Sequence, residues 1–151
     1  KELNEHRIVT REIQEKLSSM GAEIRIENKE SILKLKFIQH LHTHISATLS
    51  ERSNFAVLLN AFHPTPAVGG RPWEMAKKCI EEAEPFDRGL YAGPMGYISA
   101  ESSEFAVAIR SALTEDTKLH LFGGCGLVTG SEAESEWIET QNKMKNFEIS
   151  L

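Results

Sequence analysis

Acidic side chains at the two ends of this 151-residue chain are spaced in a way that suits a hard cation. Glu136, Glu139 and Lys143 stand three and four residues apart, so on a helix all three project from one side. Trp137, Met144 and Phe147 form an adjacent apolar stripe, which puts the charged row at the margin of the buried face. Glu5 stands four residues before Val9, in line with the stripe Val9, Ile13 and Leu17, and Glu2 is three residues before Glu5. A carboxylate aligned with a core-facing stripe is unfavourable unless it is paired, hydrogen-bonded or bound to a cation. Two such helices presenting Glu2, Glu5, Glu136 and Glu139 would offer the all-oxygen ligands of magnesium, an ion that keeps several waters and often sits under an anionic substrate. The same spacing also describes a solvated helix face with a routine Glu–Lys pair.

Three other groups of residues compete for a role. His40, His42 and His44 alternate, so in a regular strand they face one way, and imidazoles so placed can ligate zinc. The plainer reading is one functional or packed histidine with two incidental neighbours, and no cysteine lies close by. Gly123-Gly124-Cys125-Gly126 ends an apolar run and precedes a helix signal, a place where backbone amides can approach an anion. The run lacks the phosphate-loop Lys-Ser/Thr and the dinucleotide spacing, and a tight turn accounts for it equally well. Arg110 closes the apolar segment Phe105 to Ile109, and an arginine there commonly needs a carboxylate, which its fork binds with two parallel bonds.

The elements that must carry these residues are legible from periodicity. A helix is expected from about Glu2 to Met20, stopped by Gly21. Alternation predicts a short strand at Glu23–Ser31 and a second over Ile32–Leu49, with Leu33, Leu35 and Phe37 on one face and a break near His40. Asn54–Phe62 is apolar enough for a short buried helix. His63–Pro72, with its prolines and glycines, reads as a loop, and Pro72 suits the first turn of a helix running to about Ala83. Arg88–Ile98, Glu104–Leu113 and Lys118–Val128 read as three strands joined by short polar turns. Ser131 with Glu134 forms a capping-box signature for a last helix through about Phe147. No repeat, low-complexity segment or linker interrupts the chain, so residues 1–151 are expected to form one α+β unit.

Composition narrows the function classes. A chain 40% hydrophobic and 26% charged is an ordinary soluble globular sequence. Its net charge of −5 gives no basic excess to displace counterions, which argues against nucleic acid or an acidic membrane as partner. No apolar run approaches the roughly 18 residues needed to span a bilayer, and no signal peptide opens the chain. Two distant cysteines, Cys79 and Cys125, fit neither a disulfide framework nor a metal spacing, which suggests a reducing cytoplasm. The chain opens directly into helical periodicity, as a fragment would.

Taken in order, seven segments resemble the chorismate-binding enzyme family, which includes the anthranilate, aminodeoxychorismate, salicylate and isochorismate synthases. They are KELNEH at 1–6, QHL at 39–41, HPTPAVGGRP at 63–72, EPFDRGLYAGPMGY at 84–97, EFAVAIRSA at 104–112, FGGCGLVTGS at 122–131 and EWIETQNK at 136–143. The resemblance implies the latter part of a large two-sheet α/β sandwich. It implies that Glu5 and Glu139 ligate magnesium, with Glu2 and Glu136 at supporting acidic positions that often act through water. It further implies that Arg110 grips a substrate carboxylate beside Tyr91, that Gly124 and Gly126 supply a backbone cradle, that Lys143 neutralises the substrate or orders the metal ligands, and that His40 is the active-site histidine. His42 and His44 match nothing catalytic, which weakens the zinc reading.

Ala67 bears on the reaction. Anthranilate and salicylate synthases resemble one another in having threonine there, usually followed by Val-Ser-Gly-Ala-Pro-Lys, whereas this chain reads Ala67-Val68-Gly69-Gly70-Arg71-Pro72. HPTPA followed by glycine, like EPFDRGLYAG, is similar to the isochorismate synthases of menaquinone and siderophore synthesis. The expected reaction is therefore magnesium-dependent conversion of chorismate to isochorismate, with salicylate or another chorismate product, or a non-catalytic binding module, as the alternatives. The family's general-base lysine and general-acid glutamate lie upstream of Lys1 in its layout. These residues alone are expected to bind chorismate poorly and to catalyse nothing, and the full-length enzyme is expected to be a cytoplasmic monomer.

Overall fold

The structure is a computed structural model and describes residues 1–34, 39–50 and 53–148. The chain divides into two compact units, Lys1–Lys77 and Lys78–Leu151, and the division falls inside a helix, which is why no linker marks it in the sequence.

In the first unit, helix α1 (Glu2–Ser19) lies against an antiparallel hairpin of β1 (Glu23–Lys34) and β2 (Gln39–Thr48). Gly21, with φ of 70°, ends the helix as its position predicts. The first strand is longer than expected and takes in Ile32 and Leu33, which the sequence reading gave to the second. The reason is a register shift between Glu27 and Ser31, where Asn28 and Glu30 adopt left-handed backbone and interrupt the alternation without ending the strand. Arg7 on α1 reaches that irregularity with two bonds to the Glu30 carboxylate, 2.7 and 2.9 Å, and holds that carboxyl below its usual range. His6 shares a 2.8 Å hydrogen bond with Thr43 Oγ1, so the helix lies over the odd-numbered face of β2. Leu35 and Phe37 lie outside the described residues.

Helix α2 (Phe55–Phe62) is capped by the Asn54 side chain, which accepts from the Ala56 amide. The segment expected to be all loop contains one helical turn, α3 (Pro66–Gly69), because a proline in the first turn is compatible with a helix. Gly69 is buried: a β-carbon there would fall 2.8 Å from the Pro64 ring and 3.0 Å from Trp73. Gly70 carries φ of 74° and would meet the Ala76 methyl. Helix α4 follows at Trp73–Ala83, with the Pro72 carbonyl accepting its first bond from the Ala76 amide.

The second unit is built from β3 (Pro94–Ile98), β4 (Ser103–Val107), β5 (Ser111–Glu115), β6 (Lys118–Phe122) and helix α5 (Ala133–Glu148). The strands pair as two antiparallel hairpins, β3 with β4 and β5 with β6. Three expected strands are thus shorter, and one is split. Arg88–Gly93 is turn rather than strand, and Val128 lies beyond the end of β6. The single strand expected over Glu104–Leu113 breaks at Ala108–Arg110: Ala108 exchanges bonds with Ala92 and Gly93, and Arg110 turns left-handed, with φ of 52°. Ser131 does not cap the last helix as expected. Its hydroxyl accepts from the Val128 amide and closes a turn, and α5 begins two residues later with Glu132 accepting from Glu136.

The apolar stripe of α5 is corrected as well. Trp137 is 60% exposed, whereas Glu136 is only 5% exposed, so the acidic residue takes the shielded side. Among the described residues, no helix is long and apolar enough to cross a membrane.

Candidate functional site

Lys143 anchors the best-defined group of candidate residues. One turn earlier on α5, Glu139 Oε1 accepts from Lys143 Nζ at 2.6 Å, and the same ammonium donates to the Gly124 carbonyl at 3.1 Å. The glycine run lets these parts approach. A β-carbon on Gly123 would fall 3.0 Å from Met144 Cγ of α5, and one on Gly124 would fall 2.8 Å from the Tyr91 hydroxyl. Tyr91, Gly124, Lys143 and Glu139 therefore come together in one unit.

Tyr91 is held by its neighbours. Its ring stacks on Phe122 at 5.6 Å between centroids, and Phe86 packs on the other contact of Phe122 at 5.9 Å. The Arg88 guanidinium lies 5.7 Å from the centre of the Tyr91 ring. Arg88 is itself clasped by Glu84 through bonds of 2.7 and 2.6 Å. Burial raises the Tyr91 phenol above its usual range, with Arg88 pulling the other way. Neither Glu84 nor Arg88 stands out in the sequence; their separation of four residues is the available signal, and Pro85 between them obscures it.

The other candidates are placed as follows. Arg110 sits half-buried at the break between β4 and β5, not within a strand. Arg110 and the buried Ala92 both hold left-handed backbone, which non-glycine residues adopt at some energetic expense. Gly126 is half-buried in the segment joining β6 to α5. Ala67 is exposed on α3. That loop is tied to α1 by Arg71, which donates to Glu15 at 3.3 Å and lies 3.9 Å from a Glu12 oxygen. His63, at the loop's start, is pushed below its ordinary value of 6.5 by burial and then by the Lys16 charge.

The acidic candidates are shielded to different degrees. Glu2 is exposed. Among the described residues Glu5 Oε1 has no hydrogen-bond partner and no solvent contact; Lys1 Nζ stands 3.6 Å away, beyond hydrogen-bonding distance. Glu136 is buried and Glu139 half-buried. His40, His42 and His44 do share a face of β2, opposite Leu33, Ser31 and Glu27 of β1. Within either unit, no group of three or more His, Cys, Asp or Glu side chains among the described residues is gathered to hold a metal, so the zinc reading has no geometric support.

The family profile described as "Chorismate binding enzyme" matches residues 1–151. The isochorismate synthase MenF of Bacillus subtilis is 45% identical over 146 residues, 96% of this chain and 31% of that protein. The chloroplastic isochorismate synthase of Catharanthus roseus is 41% identical over 148 residues, 97% of this chain and 26% of that protein. A salicylate-biosynthesis isochorismate synthase of Pseudomonas aeruginosa is 40% identical over 152 residues, all of this chain and 32% of that protein. Among solved structures, DhbC of Bacillus anthracis, described as an isochorismate synthase, superposes with a TM-score of 0.87 at 32% identity, over 95% of this chain and 39% of that one. The α+β fold expected from the sequence is the fold of that structure. The chain spans about a third of the length of the curated relatives it matches.

Proposed function

This chain belongs to the chorismate-binding enzyme family, and on that footing we propose that residues 1–151 form the metal- and carboxylate-binding part of an isochorismate synthase. The relatives that support this reading are isochorismate synthases of bacteria and plants. Chorismate carries two carboxylates, whereas this chain has a net charge of −5, so binding demands local positive charge.

The observation that carries the proposal is the Glu5 carboxylate, one oxygen of which is shielded from water with no hydrogen bond. A carboxylate in that state is unfavourable by itself and is relieved by a cation. The resemblance names Glu5 and Glu139 as the ligands, with Glu2 and Glu136 in support, and carboxylate oxygens are the donors that magnesium takes. When bound, magnesium supplies positive charge to a substrate carboxylate and fixes its orientation.

The chain's own residues do the rest. Arg110 presents a planar fork that matches a carboxylate. Lys143 has three N–H groups, of which Glu139 and the Gly124 carbonyl engage two, leaving one to aim at an anion. Tyr91 holds its hydroxyl close to Gly124, and the resemblance assigns to Gly126 a backbone N–H for a substrate carboxylate. His40 is assigned to the active site on the family resemblance, and Ala67 places a methyl group where related enzymes carry a hydroxyl. In the reaction, water oxygen bonds to one ring carbon, the double bonds shift, and the existing hydroxyl takes a proton and departs as water. The product is an isomer of the substrate. The proton transfers belong to a lysine and a glutamate that the family carries upstream of the stretch matched here. The same reading places the activity in the cytoplasm, in keeping with the free thiols of Cys79 and Cys125.

Titration calorimetry of magnesium with and without chorismate, on a full-length protein carrying these residues, tests the binding role. Each ligand should tighten the other by the same factor, because coupling between two sites is reciprocal. Independent affinities would leave a non-catalytic module as the better account. Chromatography of the product made by a full-length protein carrying these residues should show isochorismate; salicylate would move it to another branch of the family.

A further inference from the structure

Around Tyr91 a buttress is assembled that the substrate-binding assignment does not use. Glu84 and Arg88 are joined by two short bonds, 2.7 Å from Nε and 2.6 Å from Nη2, each to a different carboxylate oxygen. The resulting fork is rigid, since a two-point arginine–carboxylate pair fixes the guanidinium plane as well as its position. That plane stands 5.7 Å from the centre of the Tyr91 ring. On its other contacts the ring stacks on Phe122 at an interplanar angle of 23°, and Phe86 braces Phe122 in turn. The hydroxyl end lies where a side chain on Gly124 would stand. A short turn also fixes the backbone, with the Tyr91 amide donating to the Arg88 carbonyl at 2.8 Å.

We propose that Arg88, locked by Glu84, is a positioning residue that holds the Tyr91 ring against Phe122 and so keeps its hydroxyl over Gly124, where an anionic substrate group is received. The proposal rests on the reading of Tyr91 as a substrate-facing residue only for its functional consequence; the geometric part concerns the ligand-free protein. Glu84 and Arg88 touch no substrate in this scheme. They act through the aromatic ring. A cation beside the ring also makes it easier for the phenol to carry negative charge, opposing the effect of burial.

The test uses the chain labelled with 3-fluorotyrosine and read by fluorine NMR. Only two tyrosines are present, Tyr91 and Tyr97, so a Tyr97→Phe variant assigns both signals. In Arg88→Gln, the Tyr91 signal should move towards the position of free fluorotyrosine and sharpen, while the Tyr97 signal stays in place. Glu84→Gln should move Tyr91 in the same direction, and the double variant should move it no further than Arg88→Gln alone. Arg88→Lys, which keeps the charge but not the fork, should restore only part of the shift. If Arg88→Gln leaves Tyr91 unmoved, or moves Tyr97 equally, the positioning role is overturned; should that variant fail to fold, Glu84→Gln decides by the same comparison. In a full-length protein carrying these residues, with the Tyr91 signal assigned by its loss in Tyr91→Phe, adding chorismate and magnesium then separates the two readings. A shift of Tyr91 in the parent chain, with affinity about tenfold weaker in Arg88→Gln as for the loss of an outer support, sustains both. A parent chain whose Tyr91 ignores chorismate, yet responds to Arg88→Gln, removes the substrate assignment and leaves the positioning role standing.

Discussion

The Tyr91 hydroxyl lies 2.8 Å from the point that a β-carbon on Gly124 would occupy, so the residue at 124 must lack a side chain for the tyrosine to stand where it does. Backbone conformation is not the reason, since Gly124 is outside the left-handed region. In Gly124→Ala, the added methyl meets a ring that cannot swing aside, being held by Phe122 and Arg88. Overpacking of this kind destabilises by about 1–3 kcal/mol. We expect a lowered urea midpoint and weaker chorismate binding, with magnesium binding in the absence of chorismate retained. Pairing Gly124→Ala with Tyr91→Phe should recover most of the lost stability. No recovery would mean that the alanine offends some neighbour other than the hydroxyl.

His63 should make stability depend on pH. Burial and the Lys16 charge both press its imidazole below the ordinary value of 6.5. As pH falls through that value the unfolded chain takes up a proton that the folded chain refuses, so unfolding gains. Its contribution is therefore intact above about 6.5, declines as pH drops below that value, and stops declining once the folded state also protonates. Urea midpoints at pH about 7.5 and about 5 should differ less in His63→Gln than in the parent chain. An unchanged difference would show that other groups account for the acid sensitivity.

Much of the fold was legible because its helices carry strong local signals. The stripe Val9, Ile13 and Leu17 with Gly21 after it specified α1, and Asn54 marked the start of α2. The hairpins were less legible, for a physical reason. The register shift at Asn28 and Glu30 interrupts the alternation without ending the strand, so the sequence there reads as two strands where there is one. The reverse error occurred at Arg110, where an unbroken apolar run hides a left-handed turn fixed by bonds from Ala108 to the distant Ala92 and Gly93. In the candidate site, Lys143 and Glu139 were legible because they stand one helical turn apart. The support of Tyr91 was not, since Phe122 reaches it only through the fold. Trp137 misleads because its spacing puts it in one apolar stripe with Met144 and Phe147, whereas Glu136 takes the shielded position.

Lys143 should act on metal and substrate in opposite senses. Its ammonium lies 2.6 Å from Glu139, a proposed ligand of the metal, and so competes with a cation for that carboxylate. Lys143→Met removes the competitor, and magnesium alone should bind several-fold more tightly. Chorismate should bind about tenfold more weakly or worse, because the loss of a charged hydrogen bond costs about 1.5–3 kcal/mol. A purely structural lysine would weaken both. Calorimetry of each ligand alone and then together distinguishes the cases.

Glu5→Gln separates a ligand from a structural carboxylate most directly. Among the described residues Glu5 Oε1 has no hydrogen bond, and its contact with Lys1 Nζ is long, at 3.6 Å. Neutralising it should leave the metal-free stability unchanged or slightly raised, since a shielded charge is relieved. Magnesium affinity should nevertheless fall at least tenfold, as expected when one of few direct oxygen donors is weakened. The combination matters more than either result alone. A fall in metal-free stability together with unaltered magnesium binding would make Glu5 a partner of Lys1 and nothing else. Asp at the same position keeps the charge but shortens the reach, so Glu5→Asp should also bind magnesium poorly while melting, without the metal, no higher than the parent chain.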